Sequence, residues 1–261
     1  LMNYGSREKF LIPLNDLIDK HAVNLKERWT EMPQIKNDMI TLDGNIYGIP
    51  SLDSGGVGHP QSSYKMWMNV DWLKNLGLEA PTTTEEFKNV LMAFKNNDPN
   101  GNGLADEIPL TGAINTWNAE PYKFILNAFD YFDLDSLLKL KDGKMSFVAN
   151  TNGFREGLKY MADLYANGLI DPAAFTQNEQ QMSAIGNIED VAIVGAAGAG
   201  HLGMLVGVNS IDRMKQYDNI LPLQGPNGYR GIPYNKTPHV SGAAFAITDK
   251  MPVEKQEVAI K

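Results

Sequence analysis

The chain has 261 residues, 43% of them hydrophobic, which is enough for one large domain or two smaller ones, each with a buried core. Acidic residues outnumber basic ones by 31 to 23, and the net charge of -8 repels phosphate backbones and anionic bilayers, so nucleic acid is not expected as a partner. There is no cysteine, which excludes disulfides, thiolate metal sites and cysteine nucleophiles, and no apolar run reaches the roughly eighteen residues of a spanning helix.

The chain opens on LMNYGSREKFLIPLNDL and closes on PVEKQEVAIK, which read as cut segments, so both ends are expected to be incomplete. Phe10 to Lys20 predicts a short helix with Leu14, Leu17 and Ile18 on one side, and helical spacing continues over Val23 to Glu31 until Pro33. In MITLDGNIYGIP, Asp43-Gly44 between apolar runs predicts a hairpin whose second strand ends at Pro50. The glycine-rich SLDSGGVGHPQSS that follows is the first candidate crossing between lobes.

Tyr64 to Met68 predicts a strand, after which Asn69 caps a helix over VDWLKNL that Gly77 stops. PTTTEEFKNVLMAFKNN predicts a helix with a capping box of Thr82 and Glu85 and an apolar stripe of Phe87, Val90, Leu91 and Phe94. PYKFILNAFDYF reads as helix, KDGKMSF as a hairpin or strand, FREGLKYMADLYANG as a helix closed by Gly168, and VAIVG as a buried strand. SGAAFAIT is a strand ahead of a helix starting at Pro252. Strands alternating with helices predict an α/β architecture.

NNDPNGNGLADEIPL follows the long capped helix. Asp98, Asn100 and Asn102 fall at the first, third and fifth places of a calcium loop, Gly103 at the sixth, and Leu104 can offer its carbonyl at the seventh. Pro109 stands where an EF-hand has its bidentate glutamate, and the carboxylates come earlier, at Asp106 and Glu107. Hard oxygen donors suit calcium, while the same residues also build solvated Asx turns.

Gly198, Gly200 and Gly203 satisfy G-x-G-x-x-G after VAIVG, with Asp218 twenty residues past Gly198 as the acid of a dinucleotide site. The proline- and glycine-broken ILPLQGPNGYRGIP that follows favours a close-packed loop over a further βαβ unit. An NAD-dependent oxidoreductase using Gly198 to Gly203 is therefore the alternative function, and a surface scaffold a third reading. His21, His59, His201 and His239 form no local zinc pattern, and no G-x-S-x-G elbow or Walker loop is present, so catalysis is not expected. Trp67, Trp117, Tyr122 and Tyr234 stand beside polar loop residues, and flat rings near carboxylates suit sugar rings. Core packing is the competing reading, even with the cleft for Trp67, whereas Asn115, Asn118 and Glu120 around Trp117 and Tyr122 favour the cleft.

Together FLIPLNDLIDKHA, LDGNIYGIP, YKMWMNVDWLKNLGLEAPTTTEEFKNVLMAFKNNDPNGNGLADEIPL, GLKYMADLYANGLIDP and LPLQGPNGYRG resemble the extracellular solute-binding proteins of bacterial ABC importers, in the lipoprotein branch serving oligosaccharide uptake. The resemblance covers nearly the whole chain. It implies a two-lobed, periplasmic-binding-protein-like (type II) α/β fold with a hinge, whose first lobe is incomplete. The expected division is residues 1–52 and the return segment 239–261 in lobe 1, with 53–238 as lobe 2. It also implies a structural calcium ion on Asp98, Asn100, Asn102, the Leu104 carbonyl, Asp106 and Glu107. AEPYKF is similar to the Glu-Pro-Tyr of maltose-binding relatives, making Glu120 and Tyr122 candidate sugar contacts. Asp53 and His59 in the first crossing, Trp67, Trp117, His201 and Tyr234 complete the candidate solute contacts. Where those relatives carry a tryptophan platform, this chain has Ala196, Ala197 and Gly198. The expected protein is a non-enzymatic monomer, lipid-anchored on the extracellular face of the membrane, that hands a solute to an ABC permease.

Overall fold

The structure, a computed structural model, describes residues 1–53, 62, 64–131, 136–188, 190–231 and 239–261; at 52, 53 and 239–242 it describes the backbone alone. In chain order the helices are α1 (Asn15–His21), α2 (Val23–Glu31), α3 (Pro33–Met39), α4 (Val70–Leu76), α5 (Thr84–Asn96), α6 (Pro121–Ile125), α7 (Asn152–Ala166), α8 (Glu179–Gly186), α9 (Gly203–Val206), α10 (Ile211–Met214) and α11 (Val253–Ile260). The strands are β1 (Ile49–Asp53), β2 (Met66–Asn69), β3 (Ile108–Thr111), β4 (Leu138–Lys141), β5 (Lys144–Phe147), β6 (Val194–Gly198), β7 (Tyr217–Asn219) and β8 (His239–Phe245). The fold is α/β, and the chain divides into two compact units, Leu1–Gln61 with Asn235–Lys261, and Ser62–Tyr234.

In the first unit β1 pairs antiparallel with β8, from Ile49 opposite Phe245 to Asp53 opposite His239. Leu14, Ile18, Ile35, Met39, Ile46 and Ile247 form its core. Leu14 and Ile18 lie four apart on one helical face, but α1 starts at Asn15 rather than at Phe10. The Asp43-Gly44 turn forms, with Gly44 at φ 81° and the Thr41 amide bonded to the Asn45 carbonyl at 2.8 Å. The expected hairpin does not extend from it. Ile46 instead bonds back to α1, its carbonyl accepting from the Leu14 amide (2.7 Å) and its amide donating to Asn15 Oδ1 (2.9 Å). Burial of Ile46 against α1 outcompetes a ladder with Thr41, and Pro50 sits inside β1 rather than ending a strand.

The second unit is built on a four-stranded sheet in the order β3-β6-β2-β7. β6 runs parallel to β3 and antiparallel to β2. Met66 and Met68 face one core with Phe87, Phe94, Leu110 and Ile125, while Trp67, between them, packs against another containing Ala197, Leu202 and Met182. That period-two alternation places the sheet between helical layers carrying both cores. α4 is capped as its sequence predicts: Asn69 accepts from the Trp72 amide, and Gly77 takes the left-handed conformation (φ 65°) that stops the helix. The α5 box forms one residue later than expected, between Thr83 and Glu86. β6 likewise starts three residues later than VAIVG suggests, so Gly198 belongs to the strand. β4 and β5 form the expected hairpin, turned by Asp142 (φ 51°) and Gly143 (φ 72°), with Leu140, Met145 and Phe147 exposed.

Candidate functional site

β3 and β6 are parallel neighbours, so their C-terminal ends lie at the same edge of the sheet, where an open α/β sheet offers its loops to a ligand. After β3 the chain turns through residues 112–120. Gly112 is needed there because a Cβ would meet the Ala119 carbonyl oxygen at 2.4 Å and Pro121 at 2.5 Å. Asn115 (φ 56°) and Asn118 (φ 52°) both adopt the left-handed region, which asparagine enters more readily than other side chains and which the surrounding contacts must hold. Between them Trp117 stands 57% exposed. Its carbonyl accepts from the Gly200 amide (3.2 Å), and a Cβ on Gly200 would lie 2.5 Å from the indole Cε3.

The constraint comes from the segment before α8. Gln177 is buried, its amide donating to Thr111 Oγ1 (2.9 Å) and the Gly112 carbonyl (2.6 Å), while its own carbonyl accepts from the Ile114 amide (3.0 Å). Thr116 Oγ1 donates to Glu179 Oε2 at 2.5 Å. Sequence reading does not find Gln177 or Glu179, because these contacts join positions some sixty residues apart. The only local signal is the Asn178–Gln181 capping box that begins α8.

Glu120 precedes α6, and Pro121 takes the first helical position. Its side chain is 13% exposed, with Lys123 Nζ 3.4 Å from Oε2, an ion-pair distance without hydrogen-bond geometry. Oε2 is buried and accepts no hydrogen bond, so the Lys123 ammonium is what offsets its charge. Tyr122 lines an open apolar groove of about 790 Å³ with Leu126, Phe154, Leu158, Met161 and Phe175. Trp67 is half-buried, its indole N–H committed to the Ala199 carbonyl (2.9 Å), and Lys65 Nζ lies 5.6 Å from its ring centre. His201 is exposed, and its Nδ1 accepts from the Gly203 amide (2.9 Å), which ties down the start of α9. The backbone of Asp53 pairs with His239; His59 and Tyr234 lie outside the described residues.

The glycine run does not make a dinucleotide site. Gly198 is a strand residue against Ala119 and Pro121, Gly200 seats Trp117, and Gly203 opens a helix of only four residues. Close packing, not an approaching pyrophosphate, requires these glycines.

At the other end of β3 lies the oxygen-rich loop. Asp98 (φ 42°), Gly101 (φ 72°) and Gly103 (φ 78°) turn it. Asp98 accepts from the amides of Asn102 (3.1 Å) and Gly103 (3.0 Å), and Asn102 Oδ1 accepts from the Leu104 amide (2.8 Å). The side-chain NH2 groups of Asn100 and Asn102 both point at Asp106, at 3.1 to 3.2 Å. Asn100 also reaches the Ala192 carbonyl, and Asn75 the Pro99 carbonyl, which tie the loop to the approach to β6 and to α4. Among the described residues no three histidine, cysteine or acidic side chains gather closely enough to hold an ion by themselves. The donor set nevertheless fits a hard cation in one respect: Glu107 Oε1 is buried without a partner. Burial first, then the nearby Asp106 and Asp98 charges, push the Glu107 carboxyl above its ordinary value. A cation would relieve both.

No protein-family model matches the chain. It is 37% identical over 257 residues to the fructooligosaccharide ABC transporter substrate-binding protein FusA of Streptococcus pneumoniae, covering 96% of this chain and 44% of that protein. A solved FusA structure in complex with kestose superposes with a TM-score of 0.71 at 34% identity, covering 98% of this chain and 51% of that one. An EF-hand mutant of FusA in complex with fructo-nystose gives 0.68 at 35%, covering 90% and 47%. The chain thus spans about half the length of the proteins it matches. Along nearly all of its own length, it belongs with the substrate-binding proteins of ABC transporters.

Proposed function

We propose that this chain is part of a non-enzymatic protein that captures an oligosaccharide outside the cell and delivers it to an ABC permease, held by a lipid anchor at the outer face of the membrane. The observation that carries the reading is an exposed indole, Trp117, on a loop already locked in shape, with the carboxylate of Glu120 three residues on. A flat ring stacks on the C–H face of a sugar, and a carboxylate oxygen accepts its hydroxyls. The ordered loop lowers the entropy cost of binding. FusA's complexes with kestose and fructo-nystose support this class of solute.

Calcium belongs to the same reading as a structural ion. Asp98, Asn100, Asn102, the Leu104 carbonyl, Asp106 and Glu107 would hold it, and its charge would neutralise the carboxylates between α5 and β3. The EF-hand of FusA and the partnerless Glu107 oxygen support it. The test is a calorimetric titration with kestose and fructo-nystose. Trp117→Ala and Glu120→Ala should each weaken binding at least tenfold with unchanged circular dichroism; wild-type affinity in both variants would sink the reading.

A further inference from the structure

We infer that Glu179 is a positioning residue that, through Thr116, holds the Trp117 ring in its exposed pose, an inference that rests on reading Trp117 as a solute contact. Left-handed Asn115 and Asn118 flank the Thr116-Trp117 pair, so the direction of the ring depends on two sharp joints and on the contacts that hold the pair between them. One tie is the Gly200 amide on the Trp117 carbonyl, with Gly200 beneath the ring where no side chain would fit. A second is the 2.5 Å bond from Thr116 Oγ1 to Glu179 Oε2.

Glu179 has no comparable duty in its own helix. Asn178 and Gln181 complete the capping box of α8 between themselves, which leaves the carboxylate at the first helical position free for the loop. Gln177 anchors the base of the loop at Thr111, Gly112 and Ile114, so the Thr116–Glu179 bond, one residue from Trp117, is placed to control the ring rather than the fold.

The test uses the whole chain labelled with 5-fluorotryptophan, whose four tryptophan signals are assigned by Trp→Phe variants, and kestose as the probe. Thr116→Val and Glu179→Ala should shift and broaden the Trp117 fluorine signal in the free protein, leave the melting temperature within a degree or two, and weaken kestose binding about tenfold. Thr116→Ser and Glu179→Gln, which keep a donor and an acceptor, should restore both readouts. An unmoved Trp117 signal in Thr116→Val and Glu179→Ala overturns the inference, whatever happens to affinity. If Trp117→Ala binds kestose like the wild type, the solute reading fails instead. Should kestose not bind the wild type, the fluorine signal of the free protein decides alone.

Discussion

Glu107 sits in a conflict that one ion would settle. Its carboxyl is raised by burial and by Asp106 and Asp98, so the folded state holds this proton more tightly than the unfolded chain does. The sign follows: without a cation, the contribution of Glu107 to stability is fullest at low pH and is lost as pH rises through its folded value, above the usual glutamate range. Glu107→Gln should therefore raise the melting temperature at pH 7 in chelator, flatten its fall between pH 4 and pH 7, and reduce the gain on adding calcium. Thermal melts across that range with chelator or calcium check all three, and an undiminished calcium gain in the variant would remove Glu107 from the metal set. Residues of this kind were partly legible. The oxygen spacing from Asp98 to Glu107 is visible in the sequence, whereas the amides of Asn100 and Asn102 turned toward Asp106 are a product of the fold.

Helix termini show most directly what local sequence decides. Asn69 and Gly77 bound α4 as expected because each supplies a group or a backbone conformation that its neighbours cannot. At α5, Thr82-Thr83-Thr84 followed by Glu85-Glu86 offers two boxes one residue apart, and local chemistry cannot choose between them. The later one wins: Glu86 Oε2 accepts from the amides of both Thr82 (2.7 Å) and Thr83 (3.1 Å), and the Thr84 amide instead bonds the Gln224 carbonyl (3.0 Å). Thr83→Ala should cost about 1 kcal/mol, measured by urea unfolding, and Thr82→Ala less. β6 was misplaced for a related reason. Alanine and glycine have low strand propensity, and only pairing with β2 and β3 draws VGAAG into the sheet.

At the scale of the molecule, the alternation of strands and helices was enough to predict α/β, and the family likeness was carried by stretches spread along the chain. The first unit was harder to read, since β1 finds its partner in β8, nearly two hundred residues away, and Ile46 bonds to α1 instead of extending the Asp43-Gly44 turn into a hairpin. The sheet of the second unit, its two cores, the Trp117 loop and the oxygen-rich loop all fall within residues 62–234. That segment expressed alone should keep its helical circular dichroism and a cooperative melt that calcium shifts upward as in the full chain. A non-cooperative melt would mean that its cores need the first unit.

The β4–β5 hairpin has a use of its own. Its turn at Asp142-Gly143 closes two strands that lie largely open to solvent. A fluorescent reporter domain spliced between those two residues would ride on the second unit with little cost to its folding and would report on that unit optically.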